Sequence, residues 1–155
     1  MNPRAAAATV VDPEIRVLTI EELGILRDVR VAPDGHVIVT ITPTYTGCPA
    51  MDVIRADIRA ALAEAGHPGA EVVTELAPPW STDLISDSGR AKLAAAGIAP
   101  PQPHRGRAVP LTLTVRCPRC GSPDTEELSR FGSTACKSLR RCRACTEPFD
   151  AIKAF

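Results

Sequence analysis

Apolar residues in the first hundred positions recur in short runs whose period and punctuation separate one element from the next. Leu26 to Val31 and Val37 to Ile41 cluster or alternate β-formers on either side of Pro33-Asp34-Gly35-His36, which predicts a β-hairpin with its tip at Asp34-Gly35. Met51, Ile54, Ile58, Ala61, Leu62 and Ala65 then fall at helical spacing up to Gly66, so a helix is expected to begin at Cys48 or Pro49. His67-Pro68-Gly69 breaks it, and Glu71 to Leu76 reads as a third strand. Ala77-Pro78-Pro79-Trp80 makes a rigid turn, after which Ser86 or Asp87 caps a helix running to Gly97 and anchored by Leu93 and Ile98. Upstream, Asp12-Pro13-Glu14 reads as a helix start, with Asp12 as N-cap, Pro13 in the first turn, Glu14 facing the positive dipole end, and Gly24 as the stop. The order helix, strand, strand, helix, strand, helix predicts an α+β domain over residues 1–98, a small sheet covered on one face by helices.

Past residue 98 the periodicity ceases. Residues 99–112 hold Pro100, Pro101, Pro103 and Pro110 among Gly and Arg and are expected to be a semi-rigid linker. Residues 113–155 form a second, separate small domain, and a chain of roughly 40 residues rarely buries enough surface to fold without a staple. Charge changes at the same place: residues 1–103 carry 8 basic and 13 acidic side chains, residues 104–155 carry 10 and 5, so the formal zero is a cancellation. No run of 18 apolar residues exists, and the short Ala5-Ala6-Ala7-Ala8 stretch does not read as a secretory signal. Cysteine pairs in such a chain point to metal thiolates in a reducing cytoplasm, with no membrane partner.

The staple is legible. Cys117-Pro118-Arg119-Cys120 and Cys142-Arg143-Ala144-Cys145 are two C-x-x-C knuckles separated by 21 residues, the spacing of a four-cysteine zinc ribbon. Two residues between ligands let both sulfurs reach one ion, and Gly121 can take the positive φ that such a turn needs. Four thiolates also suit an iron–sulfur cluster, so the residue types leave Zn(2+) and iron both open. Zinc with four thiolates carries a formal charge of −2, and Arg116, Arg119, Lys137, Arg140, Arg141 and Arg143 beside the ligands are expected to offset it. Nucleic-acid binding is the weaker account of this basic tail, since only Phe131, Phe149 and Phe155 are aromatic there and they assemble no stacking platform. Cys136 is a possible extra: it could replace a knuckle ligand, stand beside the site, or fill a core position as a small hydrophobe, and the last is favoured.

Cys48 stands alone between Gly47 and Pro49. At the first turn of a helix, unpaired N–H groups and the positive dipole end favour a thiolate, which makes a better nucleophile or soft-metal ligand. A capping role is the competing reading, and His36, His67 and His104 all lie elsewhere in the chain.

Taken together, Asp12-Pro13-Glu14, Leu23-Gly24-Ile25, Thr46-Gly47-Cys48-Pro49-Ala50-Met51, Pro79-Trp80 and Gly97-Ile98-Ala99-Pro100-Pro101 resemble the iron–sulfur assembly proteins of the SufT type. The tail, with Cys117-Pro118-Arg119-Cys120-Gly121-Ser122, Phe131-Gly132-Ser133-Thr134, Cys136-Lys137 and Glu147-Pro148-Phe149-Asp150, resembles the D subunits of bacterial phenylacetyl-CoA epoxidase systems. The resemblance implies an accessory protein of phenylacetate catabolism that does not itself oxidise substrate. Its implied task is to mature or maintain a multicomponent monooxygenase built from a diiron oxygenase and an iron–sulfur reductase. It makes Cys48 a transient ligand for iron or a cluster, names the oxygenase and the reductase as partners, and favours a homodimer, because one thiolate cannot complete a cluster's coordination. The rival expectation is an interaction subunit that scaffolds oxygenase and reductase without transferring metal.

Overall fold

The computed structural model describes residues 1–45, 47–102 and 114–154. They form two compact units, Met1–Ser86 and Asp87–Phe155.

In the first unit the hairpin stands where expected: β1 (Leu26–Val31) pairs antiparallel with β2 (Val37–Ile41) across a turn in which the Gly35 amide donates to Ala32 O at 2.8 Å. Val37, Val39 and Ile41 are buried on one face of β2, the period of two that a half-covered strand requires. A helix, α2 (Ala50–Glu64), carries the chain to β3 (Glu71–Thr74), which lies parallel to β2, so the sheet order is β1-β2-β3. Met51, Ile54, Ile58 and Leu62 form the buried stripe of α2. Full burial of each branched side chain contributes about 1.5–3 kcal/mol, enough to hold a helix whose N-cap, Pro49, makes no side-chain cap.

The first helix is elsewhere than expected. It is α1 (Pro3–Ala8), begun by Asn2, whose side chain accepts from the Arg4 amide at 2.9 Å, and built on alanines, with Ala6 and Ala7 buried. Asp12 does cap, accepting from the Glu14 and Ile15 amides at 2.9 and 2.6 Å, but the segment it starts is a folded-back turn. The Asp12 amide donates to Leu18 O at 3.0 Å and the Ile20 amide to Val10 O at 2.9 Å, cross-chain bonds that a helix through Val17, Thr19 and Ile20 would have to break. Thr19 and Glu22 then satisfy each other's amides at 3.1 and 3.2 Å, a reciprocal cap for one further turn. Gly24 ends that turn with φ +74°, where an added Cβ would stand 2.6 Å from Leu84 Cβ.

A single 3-10 turn (Thr82–Leu84) closes the first unit. The second opens with α3 (Asp87–Ala95), followed by a two-residue strand β4 (Ile98–Ala99). β5 (Thr125–Ser129), β6 (Lys137–Cys142) and β7 (Pro148–Ile152) form an antiparallel meander, and β4 adds to it parallel to β7, giving the order β4-β7-β6-β5. The expected end of the first domain at residue 98 is therefore displaced: α3 and β4 belong with the tail, because Ala99 pairs with Ala151 and is buried with Cys117, Cys142, Phe149 and Ala151. Of the expected linker 99–112, residues 103–112 lie outside the described residues, as does His104. No helix among the described residues is long and apolar enough to cross a membrane.

Candidate metal centre

The two knuckles are copies of one turn. The Cys117 amide donates to Ser122 O at 3.0 Å and the Cys142 amide to Glu147 O at 2.9 Å. The residue after each second cysteine has positive φ, 75° at Gly121 and 64° at Thr146. One turn precedes β5; the other joins β6 to β7, and the sheet brings them face to face. The sulfurs of Cys117, Cys120, Cys142 and Cys145 all lie within 4.8 Å of one another, with Cys117 Sγ 3.7 Å from Cys145 Sγ and Cys120 Sγ 3.6 Å from Cys142 Sγ. Four sulfurs about 2.3 Å from one tetrahedral ion are separated by about 3.8 Å, so these four residues can hold a single metal ion.

Their protonation says the same. The Cys145 amide, aimed at Cys142 Sγ from 3.5 Å, is the main reason the Cys142 thiol is lowered to about 7. The Glu147 amide pulls Cys145 the same way, but burial and the thiols of Cys120, Cys142 and Cys117 outweigh it and push Cys145 to about 12. Cys120 is also raised: the Ser122 amide is outweighed by Cys142, burial and Cys117. Sulfurs this close cannot all be anions until a cation joins them.

The expected cationic collar is differently arranged. Arg119 meets Glu147 at 2.8 Å, Arg140 meets Glu127 at 3.5 Å, and Arg141 and Arg143 both hold Glu126, so these cations are matched by carboxylates across the ribbon. Arg116 donates to Gly121 O at 3.1 Å. Lys137 opens β6 whereas Cys142 closes it, some 16 Å apart at about 3.3 Å per residue, so it cannot serve the ligands. The same distance removes Cys136, which is buried beside Thr134, its Sγ 3.0 Å from Thr134 Oγ1.

Cys48 lies in the first unit, half-buried, just before the N-cap of α2. The expected thiolate is not favoured there. Burial pushes the Cys48 thiol up; the Ala50 amide and the Tyr45 hydroxyl act against this, while Glu14 and Asp12 raise it further. The helix end is present, but desolvation and two carboxylates outweigh it. Asp12 and Glu14, read from sequence only as a helix start, are thus part of the Cys48 surroundings. His36 pairs with Glu71 at 3.7 Å and His67 lies 3.4 Å from Met1 O, so both histidines make contacts of their own at those places.

Comparison with known proteins places both halves. Residues 4–74 match the model of the family described as iron–sulfur cluster assembly protein, and residues 101–153 match the PaaD zinc beta ribbon domain. A protein of Escherichia coli K12 named for the D subunit of 1,2-phenylacetyl-CoA epoxidase is 46% identical over 149 residues, covering 96% of this chain and 89% of that one. An Fe-S protein maturation auxiliary factor of Porphyromonas gingivalis is 37% identical over 86 residues, 55% of this chain and 81% of its own. The crystal structure of a domain of unknown function from Bacillus anthracis shares the first unit's fold at TM-score 0.55 and 29% identity, over 59% of this chain and 87% of that one. With an assembly domain and a PaaD ribbon joined in one chain, and close identity across nearly its whole length, this protein belongs to the family of phenylacetyl-CoA epoxidase D subunits.

Proposed function

We propose that the protein is a non-catalytic accessory of a phenylacetyl-CoA epoxidase system, assisting the maturation of its iron–sulfur or iron centre. The carrying observation is that one chain joins an assembly-type unit to a four-sulfur ribbon along 89% of a relative named as an epoxidase subunit. In this reading Cys117, Cys120, Cys142 and Cys145 hold a resident zinc. Sulfur separations of 3.6 and 3.7 Å support one shared ion, since thiolates on different irons of a cluster stand farther apart than the edge of one tetrahedron. A closed tetrahedron of thiolates leaves no open position, so this ion is structural.

Iron or a labile cluster is cargo, and Cys48 receives it. At neutral pH the Cys48 thiol keeps its proton; an arriving soft cation displaces that proton to solvent and takes the sulfur, with the Asp12 and Glu14 carboxylates favouring positive charge nearby. A thiol that is weakly ionised until a cation arrives suits a carrier that must load and release. A second thiolate, from a second copy or from the target, completes the coordination. The partners are the oxygenase or reductase subunits.

Anaerobic purification followed by elemental analysis and a visible spectrum tests the reading. One zinc per chain is expected in the wild type and in a Cys48→Ala variant, with an iron chromophore in the wild type alone. If Cys48→Ala restores a fully active, cluster-replete epoxidase in cells lacking the wild-type protein, the carrier role is wrong and the protein acts as a scaffold.

A further inference from the structure

Phe131 is 68% exposed, in a ribbon whose other described phenylalanine, Phe149, is 5% exposed. A single exposed ring on a flexible loop would mean little. This one is held from beneath by a network. Gly132 donates its amide to Lys137 O at 2.8 Å, and the Lys137 amide returns to Thr134 O at 3.1 Å. The Ser133 hydroxyl donates to Asp150 Oδ2 at 2.7 Å and accepts from Lys137 Nζ at 3.1 Å. Lys137 is only 6% exposed, and an ammonium is retained at that depth only where its contacts are satisfied, so this network is costly to rearrange. Gly132 leaves no slack: an added Cβ would stand 2.5 Å from Asp150 Oδ1. Lys153 donates Nζ to Ala135 O at 2.8 Å while standing 4.4 Å from the centre of the Phe131 ring. The chain thus spends a buried lysine, a glycine and a carboxylate on fixing one aromatic ring in water.

The charge beside that ring is one-sided. All five carboxylates of residues 104–155 are engaged, Asp124, Glu126, Glu127 and Glu147 by arginines and Asp150 by Ser133. Among the described residues Arg130 has no carboxylate partner, and Lys153 meets a carbonyl and the ring rather than an acid. Phe131 therefore presents an aromatic anchor beside one uncompensated cation, Lys153, with a second, Arg130, next to it in the chain. A rigid aromatic knob loses little freedom on binding, and cations around it select an acidic rim.

We propose that this Phe131 face is the surface by which the ribbon docks on an acidic, apolar-centred face of an epoxidase subunit. The proposal rests on the partner reading above and adds to it the part of the chain that makes the contact. The far end of the ribbon from the metal does the docking, and the metal's role is to hold the sheet that carries it.

The test measures binding of the full, metal-loaded chain to purified oxygenase and to purified reductase of the same system at low and high salt. Phe131→Ala removes a solvent-exposed ring and should leave the metal content unchanged while weakening binding at least ~30-fold, as expected of a central aromatic anchor. Arg130→Glu should slow association and flatten its salt dependence. If the wild type binds a subunit and Phe131→Ala binds within about twofold of it, the docking face is wrong and the partner reading stands. If the wild type binds neither subunit, the partner reading fails and this proposal fails with it.

Discussion

Gly121 and Thr146 occupy the same place in the two knuckles, and only one of them is the residue that place favours. Nothing lies within 4 Å of an added Gly121 Cβ, so the cost of Gly121→Ala is conformational alone, about 1–2 kcal/mol for a left-handed alanine. Because the turn is formed with the metal, the penalty should appear as a roughly tenfold loss of affinity in chelator competition. Cys48 shows the opposite relation between neighbourhood and residue. Its thiol is raised above 9.0 by burial, so the protonated form is the folded protein's preferred state, and any stability tied to it is present below pH 9 and lost as pH rises above it. Alkylation of Cys48, followed by peptide mass mapping, should therefore be slow at pH 7 and climb without a plateau through pH 9. Glu14→Gln removes one of the two charges that oppose the thiolate, and should speed the reaction at pH 8 about two- to threefold. A rate already saturated at pH 7 would mean that the helix end dominates after all.

Among the elements, those written by period were legible and those made by distant contacts were not. The hairpin and α2 follow from alternation and from a stripe at helical spacing, both of which act within a few residues. The stripe makes a direct forecast: Ile58 is fully buried, so Ile58→Ala should destabilise the first unit by about 2–5 kcal/mol in denaturant titration, while leaving the ribbon's metal content unchanged. Asp12-Pro13-Glu14 misled because an aspartate that caps a helix and one that caps a turn use the same side-chain bonds; what decides between them is the Val10–Ile20 contact across the chain. β4 was hidden because two residues carry no period, and Ile98-Ala99 becomes a strand only beside β7. The four ribbon cysteines were legible because ligand spacing is itself a local geometric constraint. The environment of Cys48 was not, since Asp12 and Glu14 reach it only through the fold, and local reasoning from the helix end gave its thiol the wrong sign.

For the molecule as a whole, the two units are stabilised by different means, and metal removal should separate them. In the first, Leu18, Ile20, Leu23, Val39, Ile41, Ile54, Ile58 and Leu62 are fully buried, a core that owes nothing to a metal. In the second, Leu93 and Ile152 are buried, and the core cluster of the ribbon is Ala99, Cys117, Cys142, Phe149 and Ala151, so two of its five members are cysteines of the four-sulfur site and two of the rest are alanines. That is too little apolar surface to offset the ordering of its backbone, at roughly 1–2 kcal/mol per residue, unless metal–sulfur bonds contribute. Chelation of the full chain should abolish amide-exchange protection across β5, β6 and β7 and, because Ala99 packs on two ligands, across β4 as well. Protection in β2 and α2 should be unchanged. Reloading the chelated chain should release close to one proton per cysteine near neutral pH, since without the folded knuckles every thiol returns to the ordinary thiol range, well above 7, and the ion must displace its proton. Affinity should fall steadily as pH drops, because the ion must then displace those protons against a rising proton concentration. Full protection of the ribbon after chelation would show instead that Phe149 and its small neighbours suffice, and would leave the four closely set sulfurs without a structural task.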